Sequence, residues 1–208
     1  MSQICIIIPV YNEEKRLDLE KFNTFFSNSS FSFLFVNDGS TDNTIHIINK
    51  LSTKYQNVDV LDFTLNKGKA EAVRLAGVQV LKREGLSYIG FWDADLSTPL
   101  WEINNFVAQI NSNENKVLAV IGSRIKRLGS NVYRNKKRHL LGRVFATCAS
   151  WILKIPVYDT QCGCKVFDES LAKDIFKKEF ISRWLFDVEI FHRLINIHGR
   201  NQLKDIAR

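Results

Sequence analysis

The sequence predicts an α/β protein in which helices flank a mostly parallel central sheet. Short apolar runs rich in β-branched and aromatic residues alternate along the first half with amphipathic helical patterns, which is typical of βαβ units. The 208 residues are 45% hydrophobic, enough to bury a core without disulfide or metal support. No linker rich in Gly, Ser or Pro divides the chain, so we expect one domain over residues 1–208, with a first half at 1–112 and a second at 113–208.

Five apolar runs have the length and composition of buried strands. They are Ile4–Val10, Phe31–Asn37, Val58–Phe63, Tyr88–Trp92 and Val117–Gly122. The first run has no basic flank before it and is followed by polar residues, so it is typical of a strand and not of a secretory signal. No stretch of the sequence approaches the roughly 20 apolar residues that span a bilayer.

Amphipathic patterns between these strands predict helices. In the first half they cover Glu13–Phe26, Thr44–Tyr55, Lys69–Arg83 and Pro99–Asn111. Thr98 followed by Pro99 is typical of an N-cap and a first helical position. The alternation is lost in the second half, where the sequence predicts an apolar helix at Leu140–Ile155, a short strand at Lys165–Phe167 and a helix at Phe186–His198.

The positive charge of the chain is concentrated in one segment. From Asn115 to Tyr158 there is no Asp or Glu, while ten Lys and Arg residues lie there. The rest of the chain has 19 basic against 22 acidic residues, so its net charge is −3 although the whole chain carries +7. Nucleic-acid-binding domains usually spread Lys and Arg over a whole face, so this distribution disfavours a nucleic-acid partner and indicates one anion-binding region.

Polar clusters follow three of the predicted strands at their carboxyl ends, where open α/β sheets bind ligands. The clusters are Pro9-Val10-Tyr11-Asn12-Glu13, Asn37-Asp38-Gly39-Ser40-Thr41-Asp42 and Asp93-Ala94-Asp95. The middle cluster taken alone could equally be a tight turn in which Thr41 or Asp42 caps the next helix. Three such clusters at one edge of a sheet favour a binding site.

The Asp93-Ala94-Asp95 triplet predicts a metal site. In extended backbone, residues i and i+2 project to one face, so both carboxylates can approach one cation. Hard oxygen ligands suit Mg²⁺ or Mn²⁺, and a metal held there would stabilise charge on a departing diphosphate. An Asp-x-Asp triplet is also common by chance, but its position directly after a strand favours the metal site.

Other catalytic and ligand signatures are missing. The Asn66-Lys67-Gly68-Lys69-Ala70 segment lacks the first Gly and the Ser or Thr of a P-loop, and the sequence has no Gly-x-Gly-x-x-Gly, His-Glu-x-x-His or Gly-x-Ser-x-Gly. Nucleotide triphosphatase, dehydrogenase, zincin and α/β-hydrolase functions are therefore disfavoured. Cys162-Gly163-Cys164 has no partner ligands at useful spacing, so we expect packing or turn thiols there.

Seven motifs together make the chain resemble the family 2 glycosyltransferases of the GT-A fold. Within that family they are most similar to the group that transfers a sugar from a nucleotide onto a polyprenyl phosphate, which includes dolichyl-phosphate β-glucosyltransferases and mannose synthases. The last two motifs favour the glucosyltransferase branch. The motifs are Ile8-Pro9-Val10-Tyr11-Asn12-Glu13, Val36-Asn37-Asp38-Gly39-Ser40-Thr41-Asp42, Asn66-Lys67-Gly68-Lys69-Ala70, Asp93-Ala94-Asp95-Leu96-Ser97, Gly122-Ser123-Arg124, Asp159-Thr160-Gln161-Cys162-Gly163-Cys164-Lys165 and Arg183-Trp184-Leu185-Phe186-Asp187-Val188-Glu189.

The resemblance implies an inverting, metal-dependent hexosyltransferase with Mg²⁺ or Mn²⁺ as cofactor. It would move a sugar, with glucose favoured, from a nucleotide diphosphate to a polyprenyl or dolichyl phosphate. UDP-glucose is the favoured donor and GDP-mannose the alternative. Residues 1–112 would form the Rossmann-like nucleotide-sugar-binding half and residues 113–208 the acceptor-binding half. The expected location is cytoplasmic, peripheral on the cytoplasmic face of a membrane.

The resemblance also implies roles for individual residues. Asp159, Asp95 and Arg124 would be catalytic, with Asp159 facing the reacting centre. The metal and diphosphate would lie on Asp93 and Asp95, the acceptor phosphate on Arg124 and Arg138, and the nucleotide sugar on Pro9, Tyr11, Glu13, Asp38, Lys69 and Asp93. Two departures stand out, since Cys164 takes the place of the usual Phe and the family's C-terminal strand and membrane-facing element have no counterpart before Arg208.

Physical chemistry agrees with a lipid phosphate acceptor. Such a phosphate, with a second pKa of about 6, is itself an anion and needs positive charge more than a general base. The basic segment 115–158 would supply that charge, and the apolar side of the predicted helix Leu140–Ile155 could lie in a membrane interface or pack on the core. Asp187 and Glu189 are further candidates for a base, or for structural pairs with Arg183 or the basic segment.

Other functions stay open on the sequence alone. A related transferase could send the sugar to a saccharide or a cell-surface glycan. A basic module could bind anions or nucleic acid without catalysis, with steep salt dependence. The Arg183-Trp184 pair is also similar to processive polysaccharide synthases, but Phe180 stands where those enzymes have Gln, so processive synthesis is disfavoured.

Overall fold

The computed structural model describes residues 3–112, 117–123, 149–154 and 159–199. The expectations for Arg124 and Arg138, for most of the basic segment and for most of the predicted helix Leu140–Ile155 lie outside the described residues. Strands β1 to β6 cover Gln3–Val10, Ser32–Asp38, Val58–Phe63, Leu86–Trp92, Ala119–Ile121 and Cys164–Asp168. Helices α1 to α6 cover Leu19–Phe26, Thr44–Lys54, Lys69–Val80, Glu102–Asn111, Glu169–Phe176 and Phe186–His198.

One six-stranded sheet orders the strands β3-β2-β1-β4-β6-β5. Strands β3, β2, β1 and β4 run parallel to one another, whereas β6 runs antiparallel to both β4 and β5. The mostly parallel sheet is therefore confirmed, with one antiparallel strand inserted near its edge. Because β6 runs against β4, the carboxyl end of β4 meets the amino end of β6, where Trp92 lies opposite Cys164.

Two hydrophobic layers cover the faces of the sheet, because side chains alternate along each strand. On one face, Ile6 and Ile8 of β1 pack with α1, α2 and α4. On the other face, Ile7 packs with α3, α5 and α6. Helices α3 and α5 approach closely, since a Cβ added to Gly77 would lie 2.6 Å from the Phe176 ring. This packing fixes the strands that carry the polar clusters.

The first helix begins later than the sequence pattern predicts. The pattern starts at Glu13, but α1 begins at Leu19, where the Asp18 side chain caps it by accepting a backbone hydrogen bond at 3.1 Å. Residues 13–17 instead form turns. Tertiary hydrogen bonds compete with the helix here, since the backbone N–H of Glu13 donates to Thr44 Oγ1 at 2.8 Å.

The fourth helix also begins later than predicted. Helix α4 begins at Glu102, so the predictions of Pro99 as its first residue and of Thr98 as its N-cap are wrong. Thr98 O accepts a hydrogen bond from Trp92 Nε1 at 2.7 Å, which fixes the chain ahead of the helix. Consecutive i→i+3 backbone bonds then form a tight turn that leads into α4.

In the second half, β6 and α6 confirm the predicted strand and the predicted C-terminal helix. Helix α5 is absent from the sequence prediction, although its buried side chains Leu171, Ala172, Ile175 and Phe176 have helical spacing. Asp168 caps this helix by accepting from Ser170 N at 3.0 Å. The helical segment 149–153 buries Leu153 but exposes Trp151 and Ile152. Leu153 therefore packs on the core as one interpretation of the predicted helix expects, whereas the membrane-interface interpretation stays a prediction. Within the described ranges, no helix has the length and apolar character that a membrane crossing requires.

Candidate active site

The polar clusters after β1 and β2 are joined by hydrogen bonds. Asn12, with a φ of 51°, accepts from Thr41 N at 2.8 Å through its side-chain oxygen, and its own backbone N–H donates to Ser40 Oγ at 3.0 Å. The helix-capping alternative also holds, because Asp42 accepts from Thr44 N at 3.0 Å. The residues after β2 therefore cap α2 and, at the same time, fix the loop after β1 beside them.

Asp38 anchors the loop that leads into α3. Its buried carboxylate accepts from Lys67 N at 2.7 Å and from Gly68 N at 2.8 Å. The next residue, Gly39, has a φ of 70° and lies so close to this loop that an added Cβ would be 2.6 Å from Asn66 N. The carboxylate therefore holds the amino end of α3 at the sheet edge, and its expected role toward the nucleotide base stays a prediction.

Lys69 and Asp93 form an ion pair at this edge. Lys69 is the first residue of α3, and its Nζ lies 2.5 Å from Asp93 Oδ1 and 5.7 Å from the centre of the Phe186 ring. Both side chains of the pair remain partly open to solvent. The structure thus places the Lys69 ammonium group against Asp93, one of the two carboxylates that the sequence predicts to bind a metal ion.

The loop before β6 packs against Asp93 and accepts a hydrogen bond from its backbone. Asp93 N donates to Gly163 O at 2.9 Å, and a Cβ on Gly163 would lie only 1.8 Å from Asp93 Oδ2. Asp95 is exposed, and its carboxylate accepts from Ser97 N at 2.9 Å. Gly163 was not predicted as a site residue, because its close approach to Asp93 depends on the placement of β6 beside β4 and has no local sequence signal.

Glu13 brings a third carboxylate to the same edge. Its Oε1 lies 2.7 Å from Arg16 Nη2, while its Oε2 is buried and has no hydrogen-bond partner in the described part of the chain. Burial raises the pKa of Glu13, and the nearby Asp95 and Asp42 carboxylates add to this, against the lowering effect of Arg16. An unpaired buried oxygen among negative groups is a place where a cation would be favoured.

The described residues contain no ready-made cage for a metal. Among them, no three His, Cys, Asp or Glu side chains lie together as a metal site. The extended backbone expected at Asp93-Ala94-Asp95 is not observed, because residues 94 and 95 form a turn in which Leu96 N donates to Asp93 O at 3.2 Å. Asp93 and Asp95 still offer the oxygen ligands that suit a divalent cation, Asp93 already binds an ammonium group, and Glu13 has an unpaired oxygen and lies near Asp95. Mg²⁺ in particular commonly uses one or two carboxylates and completes its shell with water and substrate phosphates.

The other predicted residues occupy different positions. Pro9 lies within β1 opposite Val36, and Tyr11 is exposed directly after β1. Asp159 is half-buried and lies on the segment that leads to Gly163, so this segment reaches the rim beside Asp93. Arg124 and Arg138 lie outside the described residues, and their roles stay predictions.

Asp187 and Glu189 form the structural pairs expected of them, but with basic residues other than Arg183. Asp187 pairs with Lys165, a completely buried lysine near the start of β6, and not with Arg183. Pairing with the basic segment stays untested, because most of that segment lies outside the described residues. Glu189 pairs with Arg193 at 2.7 Å on its own helix. The available signal was Lys165 itself, because a lysine flanked by Cys164 and Val166 in an apolar strand needs a buried partner.

A groove of about 700 Å³ adjoins this edge between α1 and the segment that follows Asp95. Its lining includes Phe25, Phe31, Leu96 and Trp101, but none of the three carboxylates described above. This groove therefore does not locate the candidate site, which is assigned from the carboxylates and the Lys69 ammonium group at the rim.

The sequence is similar to known glucosyltransferases over most of its length. A dolichyl-phosphate beta-glucosyltransferase of Trichomonas vaginalis is 30% identical over 200 residues, which cover 90% of this chain and 60% of the relative. The enzymes of that name from Saccharomyces cerevisiae and Homo sapiens are 28% and 29% identical, covering 98% and 92% of this chain and 65% and 62% of their own lengths. The chain therefore spans less than two thirds of these relatives.

Solved structures share the fold at lower identity. Glucosyl-3-phosphoglycerate synthase from Mycobacterium tuberculosis, in complex with Mn²⁺, UDP and glucosyl-3-phosphoglycerate, matches with a TM-score of 0.70 and 15% identity, over 99% of this chain and 68% of that one. A mannosyltransferase from Pyrobaculum calidifontis, in complex with GDP-Man and Mn²⁺, matches with a TM-score of 0.53 and 20% identity, over 82% and 46%. The predicted GT-A type fold is confirmed. Because the model of glycosyl transferase family 2 matches residues 5–176, the chain belongs to that family.

Proposed function

We propose that this chain transfers glucose, with inversion of configuration, from a nucleotide diphosphate to a polyprenyl or dolichyl phosphate. The observation that carries the proposal is the charged rim at the carboxyl edge of the sheet, where Asp93 contacts the Lys69 ammonium group and Glu13 lies near Asp95. Similarity to dolichyl-phosphate beta-glucosyltransferases supports glucose as the sugar and a lipid phosphate as the acceptor.

A divalent cation, Mg²⁺ or Mn²⁺, is the proposed cofactor, with Asp93 and Asp95 as its protein ligands. Solved members of the fold that contain Mn²⁺ support this choice. Bound there, the cation would neutralise charge that develops on the departing nucleoside diphosphate. Lys69, held between Asp93 and the Phe186 ring, would add a second positive charge beside the same diphosphate.

The donor would lie across the ends of β1, β2 and β4, in the proposed nucleotide-binding half 1–112. Pro9, Tyr11 and Glu13 after β1 and Asp38 after β2 are the residues proposed to bind the nucleoside. Asp38 also holds the loop that carries Lys69, through its two backbone hydrogen bonds. UDP-glucose is the favoured donor, and GDP-mannose is the alternative.

The acceptor phosphate would be held by Arg124 and Arg138 in the proposed acceptor-binding half 113–208. The composition of segment 115–158, which has ten basic and no acidic residues, supports this assignment. A phosphate oxygen would attack the anomeric carbon directly, and Asp159 would orient the acceptor. Such an acceptor is already ionised near neutral pH, so it needs little help from a base.

We also propose a peripheral contact with the cytoplasmic face of a membrane. Ile181 and Trp184 precede α6 and are 94% and 86% exposed, while Trp151 and Ile152 are exposed on the segment 149–153. Aromatic and aliphatic side chains beside basic residues are typical of surfaces that lie in the headgroup region. Sedimentation with vesicles of anionic lipid, compared with vesicles of neutral lipid, tests this contact, and Trp184→Ser should weaken it.

A donor panel with a short polyprenyl phosphate tests the proposed reaction. UDP-glucose, UDP-galactose, UDP-GlcNAc and GDP-mannose are each offered with Mg²⁺ or Mn²⁺, and we expect label from UDP-glucose in the organic phase. Label that stays in the aqueous phase with a saccharide acceptor would favour the glycan-transferring alternative. Asp93→Ala should abolish transfer, whereas Asp59→Asn, which removes an exposed pair with Arg83, serves as the matched control.

A further inference from the structure

A buried ion pair lies beneath the rim. Lys165 of β6 is fully buried, and Asp187 of α6 is 5% exposed. Lys165 Nζ donates to Asp187 Oδ1 and, at 2.7 Å, to Cys162 O, and it lies 5.2 Å from the centre of the Phe91 ring. Desolvation offsets much of the attraction within such a pair, so it stabilises a fold less than its geometry suggests. Stability alone therefore does not account for two charges at this position.

The pair reaches Asp93 through the loop before β6. Lys165 fixes the carbonyl of Cys162, and the next residue, Gly163, accepts the hydrogen bond from Asp93 N at 2.9 Å. Gly163 also faces the Asp93 carboxylate so closely that a Cβ there would lie 1.8 Å from Oδ2. The position of the loop therefore limits where the Asp93 side chain can lie.

The pair reaches the same carboxylate through α6. Asp187 lies in the first turn of this helix, and the residue before it, Phe186, packs against Phe91 with ring centres 5.6 Å apart. The Phe186 ring lies 5.7 Å from Lys69 Nζ, and Lys69 in turn contacts Asp93. A shift of the start of α6 would therefore move the surface on which the Lys69 ammonium group rests.

We infer that the Lys165–Asp187 pair is a positioning device that sets the spacing between Lys69 and Asp93. Both routes from the pair end at Asp93, one through the backbone of Gly163 and one through Phe186 and Lys69. In this role Asp187 is a positioning residue and not the base of the reaction. The inference rests on the proposed function, because the two positioned groups are those that would hold the cation and the nucleotide diphosphate.

The test compares Lys165→Met, Asp187→Asn and the double variant Lys165→Met/Asp187→Asn, which leaves no unpaired buried charge. We expect the double variant to unfold at close to the wild-type denaturant concentration but to bind UDP with Mn²⁺ about 10- to 100-fold more weakly, as found when groups that orient metal ligands are removed. Binding is measured by calorimetry, independently of any acceptor. The value of kcat/KM should fall by a similar factor, while the pH–rate profile of Asp187→Asn keeps its shape.

The matched control is Glu71→Gln, which removes a partly buried pair with Arg74 on the helix of Lys69. It should leave the affinity for UDP and Mn²⁺ unchanged. If the double variant does not fold, Phe186→Leu interrupts the second route while keeping the pair, and it should weaken UDP binding in the same way. Wild-type affinity in the double variant, or in Phe186→Leu where that replaces it, would overturn the inference.

Two further outcomes separate this inference from the proposed function. Loss of the acidic limb of the pH–rate profile in Asp187→Asn would make Asp187 the base and refute the positioning role. A wild-type protein that binds UDP with Mn²⁺ but transfers no sugar to polyprenyl phosphate would refute the proposed function alone, because the binding measurements still report on the pair. Absence of UDP and GDP binding in the wild type would overturn both.

Discussion

Two lysine–aspartate pairs at the end of β4 differ in their access to water. The side chains of Lys69 and Asp93 are 39% and 26% exposed, whereas those of Lys165 and Asp187 are 0% and 7% exposed. Water can solvate both Lys69 and Asp93 when they separate. Either side chain can therefore exchange its partner for a ligand at a small cost in free energy. Separating the closed pair would leave an unpaired charge in the interior. The same two residue types thus provide an exchangeable contact at the rim and a fixed support beneath it.

Removing the lysine from each pair gives the sharpest contrast in stability. Lys165→Met should lower the free energy of unfolding by about 3–5 kcal/mol, because the Asp187 carboxylate is left buried without a partner. Lys69→Met should change it by less than about 1 kcal/mol, since water solvates Asp93. Urea titration of both variants measures the difference, and equal losses would contradict the division into open and closed pairs.

Neutralising the open carboxylate should act on turnover and not on stability. Asp93→Asn keeps the size of the side chain, and we expect kcat to fall by about 10²- to 10³-fold, as when one preorganised electrostatic contact is removed. Its urea midpoint should stay close to that of the wild type. Initial rates of sugar transfer at saturating Mn²⁺ provide the measurement, and an unchanged kcat would remove Asp93 from the mechanism.

A methyl group at Gly163 should disturb the rim through the backbone. The added Cβ would lie 1.8 Å from Asp93 Oδ2, so the carboxylate or the loop must move. We expect Gly163→Ala to weaken the binding of Mn²⁺ and UDP by about 10-fold, at the lower end of effects from displaced metal ligands. Gly199→Ala is the control. It also adds a methyl group, with strain at a φ of 78°, but no atom of the described residues lies within 4 Å of its Cβ. Equal affinities in the two variants would count against the close approach.

The smallest expected effect concerns Glu13. Its pKa in the folded protein is raised by burial, so ionisation above that pKa disfavours the folded state. Glu13→Gln removes this charge and should increase the free energy of unfolding at neutral pH, in the absence of metal, by less than about 1 kcal/mol, because the group is partly solvated. The gain should shrink as the pH falls through the pKa of Glu13, where the wild-type carboxyl also becomes neutral. Urea titrations across this pH range measure the gain in the free energy of unfolding. A gain that grows as the pH falls would contradict a raised pKa for Glu13.

The strands and α6 could be predicted because their signal is local. The apolar period across Phe186–His198 is continuous, and the strand runs are bounded by polar residues, so burial of one face decides the structure. The start of α1 could not be predicted in this way. Glu13 satisfies its backbone N–H on Thr44, a residue 31 positions away, and no local pattern contains that contact.

In the candidate site, too, some residues could be predicted from local sequence patterns, whereas others depend on tertiary packing. The carboxylates at the strand ends were recognisable because parallel strands bring their ends to one edge, and their convergence at the rim follows from the strand order. The partner of Asp187 depends on packing between β6 and α6, which are separated by 22 residues at the contact. Gly163 likewise acquires its importance only when β6 is placed against β4.

The insertion of β6 between two earlier strands has a consequence for biosynthesis. Until Cys164–Asp168 have left the ribosome, β4 lacks its neighbour on that side and β5 lacks its ladder partner. At about 5–20 residues per second, translation from β5 to β6 leaves this edge open for a few seconds. Unpaired strand edges recruit strands of other chains. Until β6 pairs, we therefore expect the nascent polypeptide to be open to misassociation along β4, the strand that ends directly before Asp93.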